Sequence, residues 1–180
     1  MFDAAGWYQK ARILPSPNFN LRPTPDDISL LVIHCISLPE GEYDNDHVEA
    51  FFLNQLDVKQ DASFLTLAGL HVSSHFYIKR DGEIIQFVAV KNRAWHAGVS
   101  CYQARENCND FSIGIELQGT DKSAYDARQY QSLIALTKDL IVAYPKLKGN
   151  ITGHEAIAPK RKTDPGIGFN WPYYLGEIER

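Results

Sequence analysis

The sequence predicts an α/β protein with a central mixed β-sheet and helices packed on its faces. Three segments carry this prediction. Residues 29–37 (SLLVIHCIS) form a continuous apolar run typical of a strand buried on both faces. Residues 72–89 predict a hairpin, because an Asp-Gly pair separates two β-rich runs. Residues 126–144 keep an apolar helical face, and the proline that follows ends the helix.

The other segments fit around this core. Residues 1–28 contain four prolines, so we expect an irregular lead-in packed on the surface of the domain. Residues 46–56 predict a short amphipathic helix, residues 90–110 a long loop, and residues 111–117 a further strand. The order β-α-ββ-β-α-β favours a mixed sheet flanked by helices.

The length and composition of the chain fit one globular domain, and its charge bears on its partners. It has 180 residues, 44% hydrophobic and 22% charged, so we expect one globular domain over residues 1–180. The formal net charge is −4 and the pI about 5.8, which argues against a nucleic-acid partner. Only the run Lys160, Arg161 and Lys162 offers a local basic patch. Nothing demands an oligomer, and we expect a monomer.

Compartment is predicted from what the sequence lacks. No apolar run of about 18 residues is present, so we expect no membrane span. The N-terminus lacks the charged and apolar regions of a secretory signal. Cys35, Cys101 and Cys108 have no zinc or redox spacing, and free thiols suit a reducing compartment. We therefore expect a cytoplasmic protein.

Three side chains, distant along the chain, could hold a metal ion. A catalytic zinc site needs three N, O or S ligands and one open position. We hypothesise that His34, at the end of the buried run, meets His154 and Asp164 and that the three bind one zinc ion. Taken one at a time, these residues also have ordinary structural interpretations that involve no metal. His34 could be a hydrogen-bonded core residue, and Asp164, before a Pro-Gly pair, could be a turn former.

Two charged residues would flank that ion. Glu116, near the end of an apolar strand, is the candidate general base, because burying a carboxylate costs energy unless it has a partner. Gly114, on the same strand face, would leave room for a ligand. Lys162 would stabilise a developing oxyanion. The plainer interpretations are a half-exposed strand end for Glu116 and a solvated basic turn for Lys162.

The remaining histidines are weaker candidates for metal ligands than His34 and His154. His96 would either contact substrate or compete as a metal ligand. His75, within a hairpin strand, is expected in the core or behind the ligands, whereas His47 and His71 are expected at the surface. No Ser-His-Asp or Cys-His nucleophile pair and no phosphate-binding glycine loop is evident.

Six segments, in order and spanning nearly the whole chain, carry a family resemblance. They are SPNFNLRP, SLLVIHCISLP, RDGEIIQFV, RAWHAGVS, CNDFSIGIELQGTD and GHEAIAPKRKTDPG. In these segments the chain resembles the zinc-dependent N-acetylmuramoyl-L-alanine amidases of the peptidoglycan-recognition fold. That resemblance implies a central mixed sheet with helices on its faces.

The resemblance also implies a reaction and its residues. It implies zinc bound by His34, His154 and Asp164, with Glu116 as the catalytic acidic residue and Lys162 as the catalytic lysine. The implied substrate is a small molecule, a muramyl peptide with a preferred 1,6-anhydro sugar. The implied reaction cuts the amide between the lactyl group and L-Ala during peptidoglycan recycling.

The resemblance also suggests which residues contact the substrate. Trp95 matches a cleft-lining residue of the family. His71 and Asn107 stand where relatives carry arginines that are thought to contact substrate, and Arg105 is a candidate replacement. The substrate-contacting residues expected in this way are Trp95, His96, Ala97, Arg105 and His71.

Two other hypotheses stay open on the sequence. One is a module of the same fold that binds muramyl peptides without cutting them, which the loss of a metal ligand would favour; all three candidates are retained here. The other is a mixed α/β protein with core histidines and no metal.

Overall fold

The computed structural model describes residues 1–180. The strands are β1 (Arg12–Ile13), β2 (Phe19–Leu21), β3 (Leu30–Ile36), β4 (Phe76–Ile78), β5 (Ile84–Gln86), β6 (Asn92–Ala94), β7 (Cys101–Tyr102), β8 (Arg105–Glu106), β9 (Ser112–Gln118) and β10 (Ile151–Gly153). The α-helices are α1 (His47–Phe52), α2 (Ala127–Ala143), α3 (His154–Ile157) and α4 (Trp171–Glu179). Short 3₁₀ helices span Ala62–Leu67, Cys108–Asp110 and Pro145–Leu147.

A six-stranded mixed sheet organises the molecule, in the order β1-β5-β4-β9-β3-β10. Strands β4, β9, β3 and β10 are parallel, and β5 is antiparallel to β4. The predicted fold class is therefore confirmed. Strand β3 lies between β9 and β10, and its first five residues are buried. Cover on both faces explains why its sequence is continuously apolar rather than alternating.

The two faces of the sheet have different covers. Leu31 and Ile33 of β3 share one core with Leu136 of α2 and with Tyr174 of α4. Alternate residues of β3 face the other way, into a second core beneath the segment that runs from 97 to 111 and beneath α3. Cys35 packs on the α2 side. Because neighbours on a strand point to opposite faces, His34 faces the other side, as the sequence predicts.

Helix α2 and the β4–β5 hairpin are confirmed. A capping box between Asp126 and Gln129 starts α2, which ends at Ala143 just before Pro145. In the hairpin, Gly82 adopts a φ of +90° in the turn between antiparallel β4 and β5, a conformation that favours glycine. None of the helices combines the length and the apolar character needed to cross a bilayer.

Two segments are more regular than the sequence predicts. The lead-in, residues 1–28, contains β1, which pairs with β5, and β2, which pairs with β6. Residues 90–110 contain β6 and a small hairpin of β7 and β8 instead of an unbroken loop. These strands are two or three residues long. Strands β1, β2 and β6 form by backbone pairing with partners distant in sequence, whereas β7 and β8 pair with each other across a short turn. Hydrophobic periodicity does not reveal pairing between strands this short.

Candidate metal centre

The structure brings His34, His154 and Asp164 together. His34 comes from β3, and His154 begins α3 directly after β10, the neighbour of β3 in the sheet. Asp164 follows in the next loop. The two Nδ1 atoms lie 3.0 Å apart, and Asp164 Oδ2 is 3.1 Å from each. Both imidazoles are buried, and the carboxylate is only slightly exposed.

This triangle of atoms fits a tetrahedral metal ion. Ligand bonds of about 2.0–2.1 Å place the corners of a zinc tetrahedron roughly 3.3–3.4 Å apart. The observed separations of 3.0–3.1 Å are close to three such corners. Two nitrogens and one oxygen are a donor set typical of catalytic zinc, in which the fourth position is left to water or substrate.

The hydrogen bond that His154 makes on the side away from the cluster leaves its Nδ1 lone pair facing the cluster. Its Nε2 lies 3.1 Å from the carbonyl oxygen of Ala97. A carbonyl can only accept, so Nε2 carries a hydrogen, which leaves Nδ1 as the ring nitrogen that can offer a lone pair. An acceptor nitrogen 3.1 Å from a carboxylate oxygen is repulsive unless a proton or a cation lies between them. The donor set therefore fits a bound cation.

His34 is held in its neutral form. Burial lowers its pKa to about 4, and the opposing effect of its hydrogen bond to Asp164 does not reverse this shift. Its Nε2 lies 2.9 Å from Nδ1 of His96, whose own Nε2 lies 3.0 Å from Ser112 Oγ. Burial also lowers the pKa of His96 well below its usual value, so this pair of rings is uncharged at neutral pH.

A close-packed loop fixes Asp164. Its carbonyl accepts from the backbone N–H of Glu155, and the next carbonyl accepts from Tyr125 Oη at 2.7 Å. Gly166, with a φ of +81°, lies so near Asp121 that a Cβ there would overlap the Asp121 carbonyl. Only glycine allows this approach, which seats the aspartate loop against residues 121–124.

Glu116 lies beside the cluster, at 9% exposure. It is paired in register with His34 across the parallel strands β9 and β3, so both side chains face the same way. Its Oε2 is buried without a hydrogen-bond partner. Burial, and to a lesser degree Asp164, raises the pKa of Glu116 well above its usual value, while Lys162 opposes the shift. Such a carboxylate accepts a proton more readily than a surface one.

Lys162 lies on an exposed turn at the same opening. The backbone N–H groups of Arg161 and Lys162 both donate to Ala158 O, so the segment before Asp164 is a turn. Lys162 and Asp164 line an open groove of about 430 Å³ between the end of β3 and residues 119–122. Lys162 thus shares this groove with Asp164, one member of the cluster.

A family model supports this interpretation of the site. The model for N-acetylmuramoyl-L-alanine amidase matches residues 24–167, which include every member of the cluster. The chain belongs to the N-acetylmuramoyl-L-alanine amidase family.

Individual amidases extend the likeness over the whole chain. The chain is 52% identical over 174 residues to 1,6-anhydro-N-acetylmuramyl-L-alanine amidase AmpD of Salmonella typhimurium, covering 97% of this chain and 93% of that protein. It is 53% identical over 166 residues to AmpD of Escherichia coli, covering 92% and 91%. A crystal structure of a selenomethionine AmpD derivative superposes with a TM-score of 0.96 at 50% identity, covering 99% of both chains.

A more distant amidase structure contains a substrate. It is the complex of Escherichia coli AmiD with anhydro-N-acetylmuramic acid-L-Ala-D-γ-Glu-L-Lys. The TM-score is 0.63 at 31% identity, over 88% of this chain and 60% of that one.

Within this amidase, His96 and Ala97 lie behind the cluster, on the outer sides of His34 and His154. His96 contacts the outer nitrogen of His34, and the Ala97 carbonyl contacts that of His154. His96 is outside the cluster of three candidate ligands. The space over Gly114, which we expected to leave room for a ligand, is filled by the His96 ring, since a Cβ on Gly114 would lie 2.6 Å from its Cγ.

The other expected substrate contacts are spread over the surface. Trp95 is partly exposed and donates through Nε1 to Asn20 Oδ1 at 2.7 Å. His71 is exposed. The Arg105 guanidinium is paired with Asp27 and lies 3.7 Å from the centre of a phenylalanine ring. Arg105 is therefore already engaged with Asp27 of the lead-in and with Phe111, which precedes β9.

Sequence reasoning missed Ser112, Asn109 and the role of Arg161. Asn109 Oδ1 accepts from the N–H groups of His96 and Ala97, and Arg161 donates to Ala97 O. Only Ser112 left a signal. It stands two and four residues before Gly114 and Glu116, so alternation along a strand places it on the same face.

Proposed function

We propose that this protein hydrolyses the amide bond between the lactyl group of 1,6-anhydro-N-acetylmuramic acid and L-Ala in muramyl peptides, a step of peptidoglycan recycling. The observation that carries the proposal is the cluster of His34, His154 and Asp164, 3.0–3.1 Å apart beside a buried Glu116. Family membership and the named activity of AmpD relatives support it.

We infer that the cluster holds one zinc ion, with His34, His154 and Asp164 as ligands. When bound, zinc supplies a Lewis acid that polarises the amide carbonyl and makes water more acidic. The chain's contribution is to present two imidazole nitrogens and one carboxylate in a fixed arrangement. Backbone and side-chain hydrogen bonds on their outer sides hold them there.

Glu116 moves the proton in this proposal. Its buried Oε2 accepts a proton from the attacking water as the water oxygen bonds to the carbonyl carbon. The same carboxyl then delivers that proton to the peptide nitrogen, and the C–N bond breaks. The products are the free carboxylate of the lactyl group and the amine of L-Ala. A pKa raised by burial suits a group that must both take and return a proton.

Lys162 stabilises charge. While the carbonyl carbon is tetrahedral, its oxygen is negative, and the Lys162 ammonium, in the groove that Asp164 also lines, is the cation that we assign to stabilise it. We propose Trp95, on the partly exposed strand end, as a wall of the sugar and peptide cleft. The substrate is a small molecule, and the enzyme acts as a monomer without nucleic acid.

The same proposal places the enzyme in the cytoplasm. Its three cysteines, Cys35, Cys101 and Cys108, are all free thiols in the fold. Free thiols persist in reducing compartments. Localisation of an epitope-labelled chain in cell fractions checks this directly; recovery from an oxidising compartment contradicts it.

The test is cleavage of a defined substrate. The protein, loaded with zinc, is incubated with 1,6-anhydro-muramyl tripeptide and, in parallel, with polymeric peptidoglycan, each with and without a chelator. Mass spectrometry should detect free tripeptide from the anhydro substrate, and chelation should abolish it. Tight binding of the muramyl peptide with no released amine would instead identify a non-catalytic binding module.

A further inference from the structure

The outer nitrogens of both histidine ligands contact one short segment of chain. His34 Nε2 lies 2.9 Å from His96 Nδ1, and His154 Nε2 lies 3.1 Å from the carbonyl of the next residue, Ala97. The two contacts differ in kind. His154 meets a backbone carbonyl, which no substitution can remove, whereas His34 depends on a side chain.

The His96 ring is itself located by its surroundings. It lies edge-on to His34, with ring centres 5.0 Å apart and planes at 86°. It fills the space over Gly114, where a Cβ would lie 2.6 Å from its Cγ. Its Nε2 lies 3.0 Å from Oγ of Ser112, a fully buried serine on β9.

The directions of these hydrogen bonds follow from the ligand role of His34. If Nδ1 offers its lone pair to the metal, Nε2 must carry the hydrogen. That hydrogen is donated to His96 Nδ1, so His96 carries its own hydrogen on Nε2 and donates it to Ser112 Oγ. The chain His34, His96, Ser112 is then fully hydrogen-bonded with both rings neutral.

The backbone of this segment is held independently of the rings. Asn109 Oδ1 accepts from the N–H groups of His96 and Ala97 at 3.0 and 2.8 Å. Arg161 donates to the Ala97 and Val99 carbonyls at 2.6 and 2.7 Å. A change in the His96 side chain therefore leaves the loop anchored.

We propose that His96 and Ser112 are positioning residues that hold His34 in the Nε2–H tautomer and thereby set the zinc affinity of the site. This inference rests on the zinc site of the proposed function. It replaces the expectation that His96 contacts substrate. Neighbours of this kind tune metal affinity because they fix both the orientation and the proton of the ligand.

Zinc affinity, measured by competition with a chromophoric chelator, tests the proposal apart from catalysis. His96→Ala should weaken zinc binding by about 10–100-fold. His96→Asn keeps an oxygen acceptor near the position of Nδ1 and should recover most of the affinity. Ser112→Ala should weaken binding in the same direction by a smaller factor. The matched control is Ser16→Ala, which removes a buried serine hydroxyl bonded to Phe52 O and should leave zinc affinity unchanged.

Imidazole ¹⁵N NMR of the zinc-loaded protein reads the tautomer itself. Wild-type His34 should show a protonated Nε2, and His96 a protonated Nε2 with an acceptor Nδ1. Zinc affinity equal to wild type in both His96→Ala and Ser112→Ala, or a protonated His96 Nδ1, overturns the inference while the zinc site stands. If His96→Ala does not fold, Ser112→Ala decides alone. A wild-type protein that binds no zinc overturns the proposed function instead, and the inference with it.

Discussion

His34 and Glu116 stand opposite each other in one register pair of the parallel strands β3 and β9. Neighbouring strands are about 4.8 Å apart, so the pairing fixes the distance between the proposed metal ligand and the proposed base through the backbone of the sheet. Both strands lie in the interior of the sheet. The proposed base is therefore positioned by two central strands, whereas Lys162 and Asp164 lie on a loop.

Glu116→Gln should strongly reduce turnover without removing the metal. The amide has nearly the shape of the carboxyl group but cannot take a proton, so kcat should fall by about 10²–10⁴. Glu116 is outside the ligand cluster, so zinc content should stay at the wild-type level. Near-normal kcat in a zinc-replete Gln variant would show that another group carries the proton.

Lys162→Ala should reduce kcat more than it changes KM. An oxyanion donor acts in the transition state, and its loss costs on the order of 10²–10³ in kcat. Lys160→Ala is the matched control, since it removes the same charge from the same turn, two residues away. Steady-state kinetics on the anhydro substrate compare the two. Equal losses in both variants would mean that general positive charge, and not the position of Lys162, matters.

Gly166→Ala should displace Asp164 and weaken zinc binding. An added Cβ would overlap the Asp121 carbonyl, so the aspartate loop must move. Gly149→Ala is the control, because Gly149 has a similar φ of +78° but nothing within 4 Å of an added Cβ. Both substitutions should cost about 1–2 kcal/mol of unfolding free energy through backbone strain. Only Gly166→Ala should lower zinc affinity, measured by competition with a chelator. An equal loss of zinc affinity in Gly149→Ala would contradict the claim that the close contact of Gly166 with Asp121 positions Asp164.

Tyr8→Phe should destabilise the fold in a pH-dependent way. Tyr8 Oη donates to Asp139 Oδ2 at 2.7 Å, which ties the lead-in to α2 and is the main cause of the lowered pKa of Asp139. The loss at pH 7 should be about 1 kcal/mol, given the partial exposure of the carboxylate. Because the folded-state pKa is depressed, the stabilisation is complete above the unfolded value of about 3.9 and disappears as pH falls through the folded value.

Urea unfolding at pH 7 and at the lowest pH that the fold survives measures that difference. Tyr174→Phe is the control, because Tyr174 bonds the neutral Thr137 hydroxyl and its loss should not vary across this acidic range. A Tyr8→Phe deficit that stays constant down to low pH contradicts the role given to Asp139.

The sequence predicts the long, periodic parts of the fold well. Strand β3 and helix α2 carry their own signals, a continuous apolar run in one and a capping box with an amphipathic face in the other. Strands β1, β2 and β6 carry none, since each is two or three residues long and exists through pairing with a distant neighbour. Local patterns cannot specify such partners.

The candidate site also combines features that have a local sequence signal with features that depend on distant contacts. The proximity of His34, His154 and Asp164 could be hypothesised from the sequence because all three are metal-donor residue types, and the structure brings their donor atoms within 4.8 Å of one another. The position of His96 could not be predicted, because it depends on the absence of a side chain at Gly114 and on a contact with Ser112 of β9. Such contacts depend on how the loop that carries His96 packs against strands β3 and β9. No local sequence pattern specifies that packing.

Metal analysis of protein purified without a histidine tag tests the central claim most directly. Mass-spectrometric elemental analysis should find one zinc per chain in the wild type, and less than a tenth of that in His34→Ala and in Asp164→Ala after the same dialysis. Wild-type protein that retains no zinc, or a His34→Ala variant that retains the full amount, would contradict the assignment of these three side chains as the metal site.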